Sequence, residues 1–303
     1  MLLPLSLVLA QAAAGAWSSG RPPECGDPGG RATNVWERAK RPELRRYCDL
    51  VASAASKLAG TSAMAQAALE AAEQADRVLP GHAAPLVLEG RALAALGKLD
   101  AAYEALRDGR ARDPGALDDP WALRAWARVL ALTGHADQAA KAYRALLPRA
   151  SVLSEAERAA ASVEAGLVAM GRGAAGLDEA VAALREGVRE AQDETQAVGV
   201  LALALALDRR GDVDEARATL AERLQGNPPD TLAAPRAKDV LAVAPGETEA
   251  LAAIGLEPTD PAGARDAWRK YLDAAPQGPW AAHARAHLAA LGAKHPPARR
   301  AAR

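Results

Sequence analysis

One pattern of small residues, glycine and proline recurs along the chain, and it constrains the fold more than any single motif does. Its clearest copies are "GRALAALGKLDAAYEALRDGRARDP" (90–114), "ARVLALTGHADQAAKAYRALLP" (127–148) and "ALALDRRGDVDEARATLAERLQGNP" (204–228). Each copy contains a small residue in a first apolar segment, a glycine seven residues later, an Asp-x-Ala that opens a second segment, and a terminal proline. A repeat of this kind predicts helix–turn–helix units that stack on their neighbours.

The repeat gives each recurring position a structural role, because small residues let two antiparallel helices approach closely and glycine suits the turn between them. The second segments are marked by alanines that recur at intervals of roughly 34–48 residues, beginning with Ala68 in "MAQAALEAAEQADRVLP". The predicted positions are Gly90, Ala127, Gly166 and Ala204 in the first segments, Gly97, Gly134 and Gly211 in the turns, and Ala102, Ala139, Ala180, Ala216 and Ala264 in the second segments.

The composition of the 303 residues favours helices over strands. Alanine dominates almost every segment, phenylalanine is absent and β-branched residues are sparse, as expected for helices packed at close range. The chain is therefore predicted to be all-α. With 37 Lys and Arg against 38 Asp and Glu, the formal net charge is −1, so no overall field attracts nucleic acid or an anionic membrane.

The recurring residues resemble the tetratricopeptide repeat, a helix–turn–helix unit with small residues where its two helices meet. The resemblance implies an all-α, right-handed α-solenoid of about six repeats. It assigns residues 43–292 to the repeat domain, with a C-terminal capping helix at 279–292. An irregular, proline-rich insertion is expected near 228–247, and a basic disordered tail at 293–303.

Tetratricopeptide arrays bind an extended peptide or a helix of a partner in a concave groove lined by their first helices. The resemblance therefore implies a non-enzymatic interaction scaffold whose partner is another protein. The alternative is a structural subunit of an envelope assembly that acts through homotypic contacts. Carried onto this chain, the groove residues are Arg91, Trp121, Arg124, Arg128, Val163, Leu167, Met170, Leu201 and Leu205. For Leu201 and Leu205, packing between helices is an alternative of at least equal weight.

The N-terminal segment "MLLPLSLVLAQAAAGAW" is an apolar run that ends in small residues, as signal peptides do. We expect residues 1–16 to be a signal peptide, 17–42 to be an irregular Pro/Gly-rich leader, and the mature protein to be secreted to the periplasm or cell envelope without a membrane span. The run lacks the usual positively charged start, so an uncleaved anchor is the alternative.

Cys25 and Cys48 enclose 22 residues and are candidates for a disulfide, but spacing alone does not establish that they pair.

Two further motifs suggest chemistry at first sight. "GRGAAG" (171–176) fits the glycine spacing of dinucleotide-binding loops, yet it falls where the other repeats place their turn, so we interpret it as a turn and expect no cofactor. His283 and His287 in "HARAH" have the i, i+4 spacing of a metal pair. The glutamate base of metalloproteases is missing, and no acidic or cysteine ligand is fixed nearby in the sequence. The two histidines are therefore predicted to lie on the surface of the terminal helix, with no metal site and no catalytic group.

Overall fold

The computed structural model describes residues 22–26, 41–59, 62–225 and 244–294. The predicted signal peptide lies outside these ranges, as do most of the leader, of the insertion and of the basic tail. Regular structure within the described ranges is helical throughout, which confirms the predicted all-α fold for that part of the chain. None of the helices described there is long and apolar enough to cross a membrane.

The helices belong to two compact units that divide between Thr133 and Gly134. In the first unit, α1 pairs with α2 and α3 pairs with α4, and α5 packs against both helices of the second pair. Short turns join the members of each pair, so each pair is an antiparallel hairpin. The helices of this unit are α1 (Pro42–Leu58), α2 (Ala65–Val78), α3 (Ala83–Ala95), α4 (Leu99–Arg112) and α5 (Pro120–Leu132).

The second unit contains three further hairpins. Its helices are α6 (Ala136–Leu146), α7 (Glu155–Gly171), α8 (Leu177–Glu190), α9 (Asp193–Arg210), α10 (Val213–Gln225), α11 (Glu247–Leu256), α12 (Pro261–Ala274) and α13 (Ala281–Lys294). The hairpins are α7 with α8, α9 with α10, and α11 with α12. In addition, α6 packs against α7, α9 packs against α7, α8 and α11, and α13 packs against α12.

The small residues of the predicted repeat lie at turns and at contacts between helices. Gly97, Gly134 and Gly211 end first helices with positive φ angles of 74°, 83° and 100°, a backbone region that glycine adopts at little cost. In the hairpin of α7 and α8, Gly166 faces Leu184 so closely that a Cβ would overlap the leucine side chain. The second-helix alanines are at most 2% exposed, namely Ala68, Ala102, Ala139, Ala180, Ala216 and Ala264.

Side-chain caps define several helix starts. Ser154 and Glu157 form a reciprocal capping box at α7, in which each side chain accepts a hydrogen bond from the other residue's backbone N–H. Asp260 accepts a hydrogen bond from the Gly263 N–H at the start of α12. These caps satisfy backbone donors that have no partner within a first helical turn.

The "GRGAAG" segment is a turn, as predicted. Gly173 has a φ of 79°, and a Cβ at Gly176 would overlap the carbonyl oxygen of Ala169. The glycines therefore serve the backbone geometry of the connection between α7 and α8. A nucleotide-binding loop of this kind follows a β-strand, whereas the segment before "GRGAAG" is the helix α7.

A disulfide fixes a short N-terminal segment to α1. It joins Cys25 to Cys48, whose Cα atoms are 5.6 Å apart, so the pairing that spacing left open is present. Beside it, the buried Tyr47 donates its hydroxyl hydrogen to Glu24 Oε1 at 2.5 Å. Burial, followed by this hydrogen bond to a carboxylate, raises the pKa of Tyr47 well above its usual range. The disulfide and the hydrogen bond together hold residues 24 and 25 against the first helix.

Candidate functional site

A cleft in the first unit is lined by the first helices of successive repeats. Its volume is about 180 Å³, and its walls come from α1, α3, α5, the turn before α5 and Pro22 of the N-terminal segment. The lining is mainly apolar, with Val51 and Ala55 from α1 and Leu88 from α3. Two of the predicted groove residues, Arg91 and Trp121, also line it. This is the helix face on which a tetratricopeptide-like array is expected to hold its ligand.

Arg91 and Asp119 supply the polar part of the cleft. The Arg91 Nη1 and Asp119 Oδ2 atoms are 3.9 Å apart, and their side chains are 14% and 7% exposed. Asp119 also caps α5, since Oδ2 accepts a hydrogen bond of 3.0 Å from the Ala122 N–H. Burial raises the pKa of Asp119, although the Ala122 N–H and the Arg91 charge oppose this effect. The buried Oδ1 atom of Asp119 has no hydrogen-bond partner. The polar part of the cleft therefore consists of the Arg91 guanidinium and a carboxyl oxygen that could still accept a hydrogen bond.

The other basic residues of the predicted groove continue along α5. Arg124 and Arg128 follow Trp121 by about one and two helical turns, so all three lie on one face of the helix. Arg124 is half-buried and Arg128 is exposed, and neither lines the cleft itself. The structure thus places a basic surface beside an apolar cleft on the first helices of two neighbouring repeats.

The apolar half of the predicted groove is corrected by the structure. Its five side chains are only 0–4% exposed and so have almost no surface with which to contact a ligand: Val163, Leu167, Met170, Leu201 and Leu205. The reason is helix packing within the second unit. Val163 lies against Gly187 and Gly199, and Leu201 lies against Gly255 of α11. All five residues therefore pack between helices, the role that sequence analysis gave as the alternative for Leu201 and Leu205.

The prediction of surface histidines is also wrong. His283 and His287 are each 18% exposed in their side chains, and both face Asp208 near the end of α9. The Nε2 atoms of His283 and His287 lie 2.6 Å and 2.8 Å from the same Asp208 oxygen, Oδ2. On its other side, His287 Nδ1 lies 2.5 Å from Glu257 Oε1, which also accepts a hydrogen bond of 2.8 Å from the Trp268 indole N–H.

The charges in this cluster affect one another's protonation. Burial alone would lower the pKa of His287, but its hydrogen bonds to Asp208 and Glu257 outweigh burial and raise that pKa to about 9. Burial alone would raise the pKa of Asp208, but the hydrogen bonds from His283 and His287 hold it well below its usual range. The cluster therefore pairs the carboxyl groups of Asp208 and Glu257 with imidazole nitrogen atoms in a half-buried environment.

A separate buried ion pair lies next to this cluster. Arg209 donates to both carboxylate oxygens of Glu247, at 2.8 Å and 3.1 Å, with side chains that are 0% and 6% exposed. The Arg209 guanidinium also stacks on the Trp280 ring at 4.8 Å from its centroid. Because Glu247 neutralises Arg209, this arginine does not balance the charge of Asp208 or Glu257.

Sequence reasoning found some members of each site and missed others. Asp119, Asp208, Glu257 and Trp268 were not predicted as site residues. The i, i+4 spacing of the two histidines was a valid signal, but their acidic partners come from helices far away in the sequence.

Comparisons with known proteins give only distant structural similarities. No family model matches the chain, and neither does any curated protein. Similar solved structures include the Cut9–Hcn1 hetero-tetramer of the APC/C, with a TM-score of 0.41 and 14% identity over 82% of this chain and 48% of that one. Another is Naa15/Naa10 bound to HypK-THB, with a TM-score of 0.39 and 16% identity over 85% and 43%.

A third similar structure is TTC0263, a thermophilic TPR protein of Thermus thermophilus. It gives a TM-score of 0.21 and 21% identity over 83% of this chain and 97% of that one. The chain spans about half the length of the first two chains, at 48% and 43%. Its description as tetratricopeptide-like rests on its own hairpins and on the buried small residues that pack them.

Proposed function

We propose that this protein is a non-enzymatic interaction scaffold that binds a segment of a partner protein in the cleft of its first unit. The main support for the proposal is that α1, α3 and α5 line the cleft. These three helices are the first helices of successive repeats. A cleft of about 180 Å³ accommodates one or two side chains rather than a whole cofactor. An extended or helical segment with an apolar anchor matches that size.

The charges beside the cleft indicate the chemistry of the partner segment. Arg91, Arg124 and Arg128 favour acidic residues next to the apolar anchor. Partly exposed arginine–carboxylate pairs contribute only about 0–1 kcal/mol each, so the anchor supplies most of the affinity. The arginines then set orientation, association rate and salt dependence.

We further propose that the protein acts in the periplasm or cell envelope. The apolar N-terminal run supports export, and the disulfide between Cys25 and Cys48 is of a kind that persists in oxidising compartments. A mature N-terminus between residues 15 and 19 is the expected result of mass spectrometry. Intact Met1 on a membrane-bound protein would contradict export by a cleaved signal.

Filling the cleft tests the binding proposal directly. Ala55 lines the cleft, whereas Ala52 is exposed on another face of the same helix. Crosslinked pulldowns from envelope extract should recover the same partner with the unmodified chain and with Ala52→Trp, and lose it with Ala55→Trp. Recovery by all three proteins, with helicity unchanged in circular dichroism, would show that the cleft is not the binding surface.

The charge requirement is tested in the same way. Arg91→Glu should slow association with the captured partner, whereas Arg110→Glu, on the exposed surface of the second helix α4, should not.

Size-exclusion chromatography tests the alternative function, a structural subunit that acts through contacts between its own copies. A stable homo-oligomer that Ala55→Trp dissociates would assign the cleft to contacts between copies and would reject the scaffold.

A further inference from the structure

Three potential metal ligands converge in the second unit, at a place where sequence analysis predicted none. The ligand atoms are Asp208 Oδ2, His283 Nε2 and His287 Nε2, and all of them lie within 4.8 Å of one another. The two histidines project from one face of α13, one helical turn apart, and the aspartate comes from α9. Two helices thus hold one oxygen and two nitrogen ligands at the same point.

Hydrogen bonding accounts for this arrangement only if the imidazole rings carry protons on every nitrogen atom that faces a carboxylate. A carboxylate oxygen is an acceptor, so each contact of 2.6 Å and 2.8 Å requires a proton on the facing Nε2 atom. His287 also faces Glu257 through Nδ1 at 2.5 Å, so both of its nitrogen atoms must carry protons. The charges of the two carboxylates are therefore balanced in part by a positively charged His287, or else by a bound cation. The neighbouring cation Arg209 is already paired with Glu247.

Glu257 has the geometry of an outer partner to a metal-bound histidine. It lies at Nδ1 of His287 and leaves the Nε2 atom directed at Asp208. The Trp268 indole N–H fixes the same Glu257 oxygen through a hydrogen bond of 2.8 Å. A carboxylate in this position holds the proton of the imidazole on Nδ1, orients the ring and increases the basicity of Nε2.

We propose that Asp208, His283 and His287 bind a divalent transition-metal ion of the Zn²⁺ class, with Glu257 as a positioning residue for His287. Two imidazole nitrogen atoms and one carboxylate oxygen suit Zn²⁺, Co²⁺ or Ni²⁺, whereas Mg²⁺ and Ca²⁺ prefer oxygen ligands throughout. Three protein ligands leave a fourth position for water or for a side chain of a binding partner.

Binding requires a local rearrangement of the three side chains. Ligand atoms arranged tetrahedrally at about 2.0–2.1 Å from Zn²⁺ lie roughly 3.3 Å from one another. The present separations from Asp208 Oδ2 are 2.6 Å and 2.8 Å, so these two pairs must open by about half an ångström. The two Nε2 atoms lie within 4.8 Å of each other and must approach by up to about 1.5 Å. The buried His283 Nδ1 atom has no hydrogen-bond partner, so this ligand lacks the outer support that Glu257 gives to His287.

Calorimetric titration of Zn²⁺ into the full, untagged chain tests the site. One ion per chain should bind, and Co²⁺ should give the intense visible absorption of a four-coordinate complex. Titration with Mg²⁺ should show no binding. His283→Ala and Asp208→Ala should each abolish stoichiometric Zn²⁺ binding, and Glu257→Gln should weaken it by about 10–100-fold. His135→Ala is the matched control, because it removes a histidine remote in sequence and should leave binding unchanged.

The outcomes distinguish a metal site from a metal-free ionic cluster. If the unmodified chain shows no saturable Zn²⁺ binding and no Co²⁺ spectrum, the proposal is wrong and the cluster only attaches α13 to α9. Binding that survives both ligand substitutions would place the metal elsewhere and would also overturn it. If a substituted protein does not fold, the Co²⁺ spectrum and Zn²⁺ titration of the unmodified chain still decide the question, together with Glu257→Gln.

Discussion

Gly90 of α3 packs against Leu106 of α4 so closely that a Cβ on the glycine would lie 2.5 Å from the leucine Cγ atom. The same relationship joins Gly166 to Leu184 in the hairpin of α7 and α8. In both hairpins, the glycine of the first helix therefore contacts a leucine of the second helix. That leucine lies one helical turn after the second-helix alanine. This contact brings the two helices close together, and a larger residue at either glycine would overlap the leucine side chain.

Gly90→Ala should destabilise the protein by about 1–3 kcal/mol, because the added methyl group must displace Leu106 or separate the helices. Gly292→Ala is the matched control, since its Cβ would meet no atom within 4 Å and alanine favours a helix. That substitution should be neutral or stabilising by up to about 1 kcal/mol. Denaturant midpoints measure both changes, and an unchanged midpoint for Gly90→Ala would show that the hairpins are not closely packed here.

A second prediction compares two alanines of α10 that differ mainly in burial. Ala216 is 2% exposed at the predicted repeat position, and Ala218 is exposed on the outer face. Ala216→Leu should cost about 1–3 kcal/mol through overpacking, whereas Ala218→Leu should change stability by less than about 0.5 kcal/mol. Equal melting temperatures for the two variants would mean that the register of this repeat is wrong.

The hairpins were predictable from sequence because their contacts are local and recur. A small residue, a turn glycine and a second-helix alanine specify one hairpin within about one repeat length, near 34 residues. Only the immediate partner helix is needed for this inference. Positions such as Gly97 and Ala102 therefore appear in the structure with the roles that the pattern indicates.

The sites depend on contacts that the repeat does not encode. His283 meets Asp208 across 75 residues of sequence, so the acidic ligand cannot be read from the neighbourhood of "HARAH". Whether a residue of a first helix faces a ligand or another helix likewise depends on non-adjacent elements. Leu201 is buried because it lies against Gly255 of α11, a helix beyond its own hairpin.

Removal of the Cys25–Cys48 disulfide should destabilise the first unit by about 2–4 kcal/mol, because the unfolded chain then regains the freedom of the enclosed loop. The double variant Cys25→Ser with Cys48→Ser should show a lower denaturant midpoint than the oxidised protein. Reductant should lower the midpoint of the unmodified chain and have no effect on the variant. Rapid alkylation of both cysteines without reductant would show that the pair is not formed in the isolated protein.

The free energy of unfolding should fall strongly when one partner of the buried Arg209–Glu247 pair is removed. Glu247→Gln leaves a guanidinium that is 0% exposed without its counter-charge, at an expected cost of about 3–5 kcal/mol. The control is the exposed pair of Arg269 and Asp266, with side chains 64% and 68% exposed. Asp266→Asn should cost no more than about 1 kcal/mol. Chemical denaturation of both variants tests the difference, and similar small losses would show that Arg209 finds another partner or water.

The last prediction concerns Asp119, whose pKa is raised by burial despite the opposing effects of the Ala122 N–H and Arg91. A carboxyl group with a higher pKa in the folded state than in the unfolded state binds protons preferentially when folded. Its stabilising contribution is therefore complete below the unfolded pKa and is lost as the pH rises through the folded pKa.

Asp119→Asn keeps a capping acceptor for Ala122 but does not titrate, so it isolates this effect from the other ionisable groups. The unfolding free energy of the unmodified protein, relative to Asp119→Asn, should increase as the pH is lowered from about 7 towards 4. Parallel denaturation curves at a series of pH values measure this difference. A difference that stays constant would show that Asp119 has the same pKa in both states. Because Asp119→Asn removes a carboxylate that lies 3.9 Å from the Arg91 guanidinium, it should also speed the association of an acidic ligand with the cleft at neutral pH.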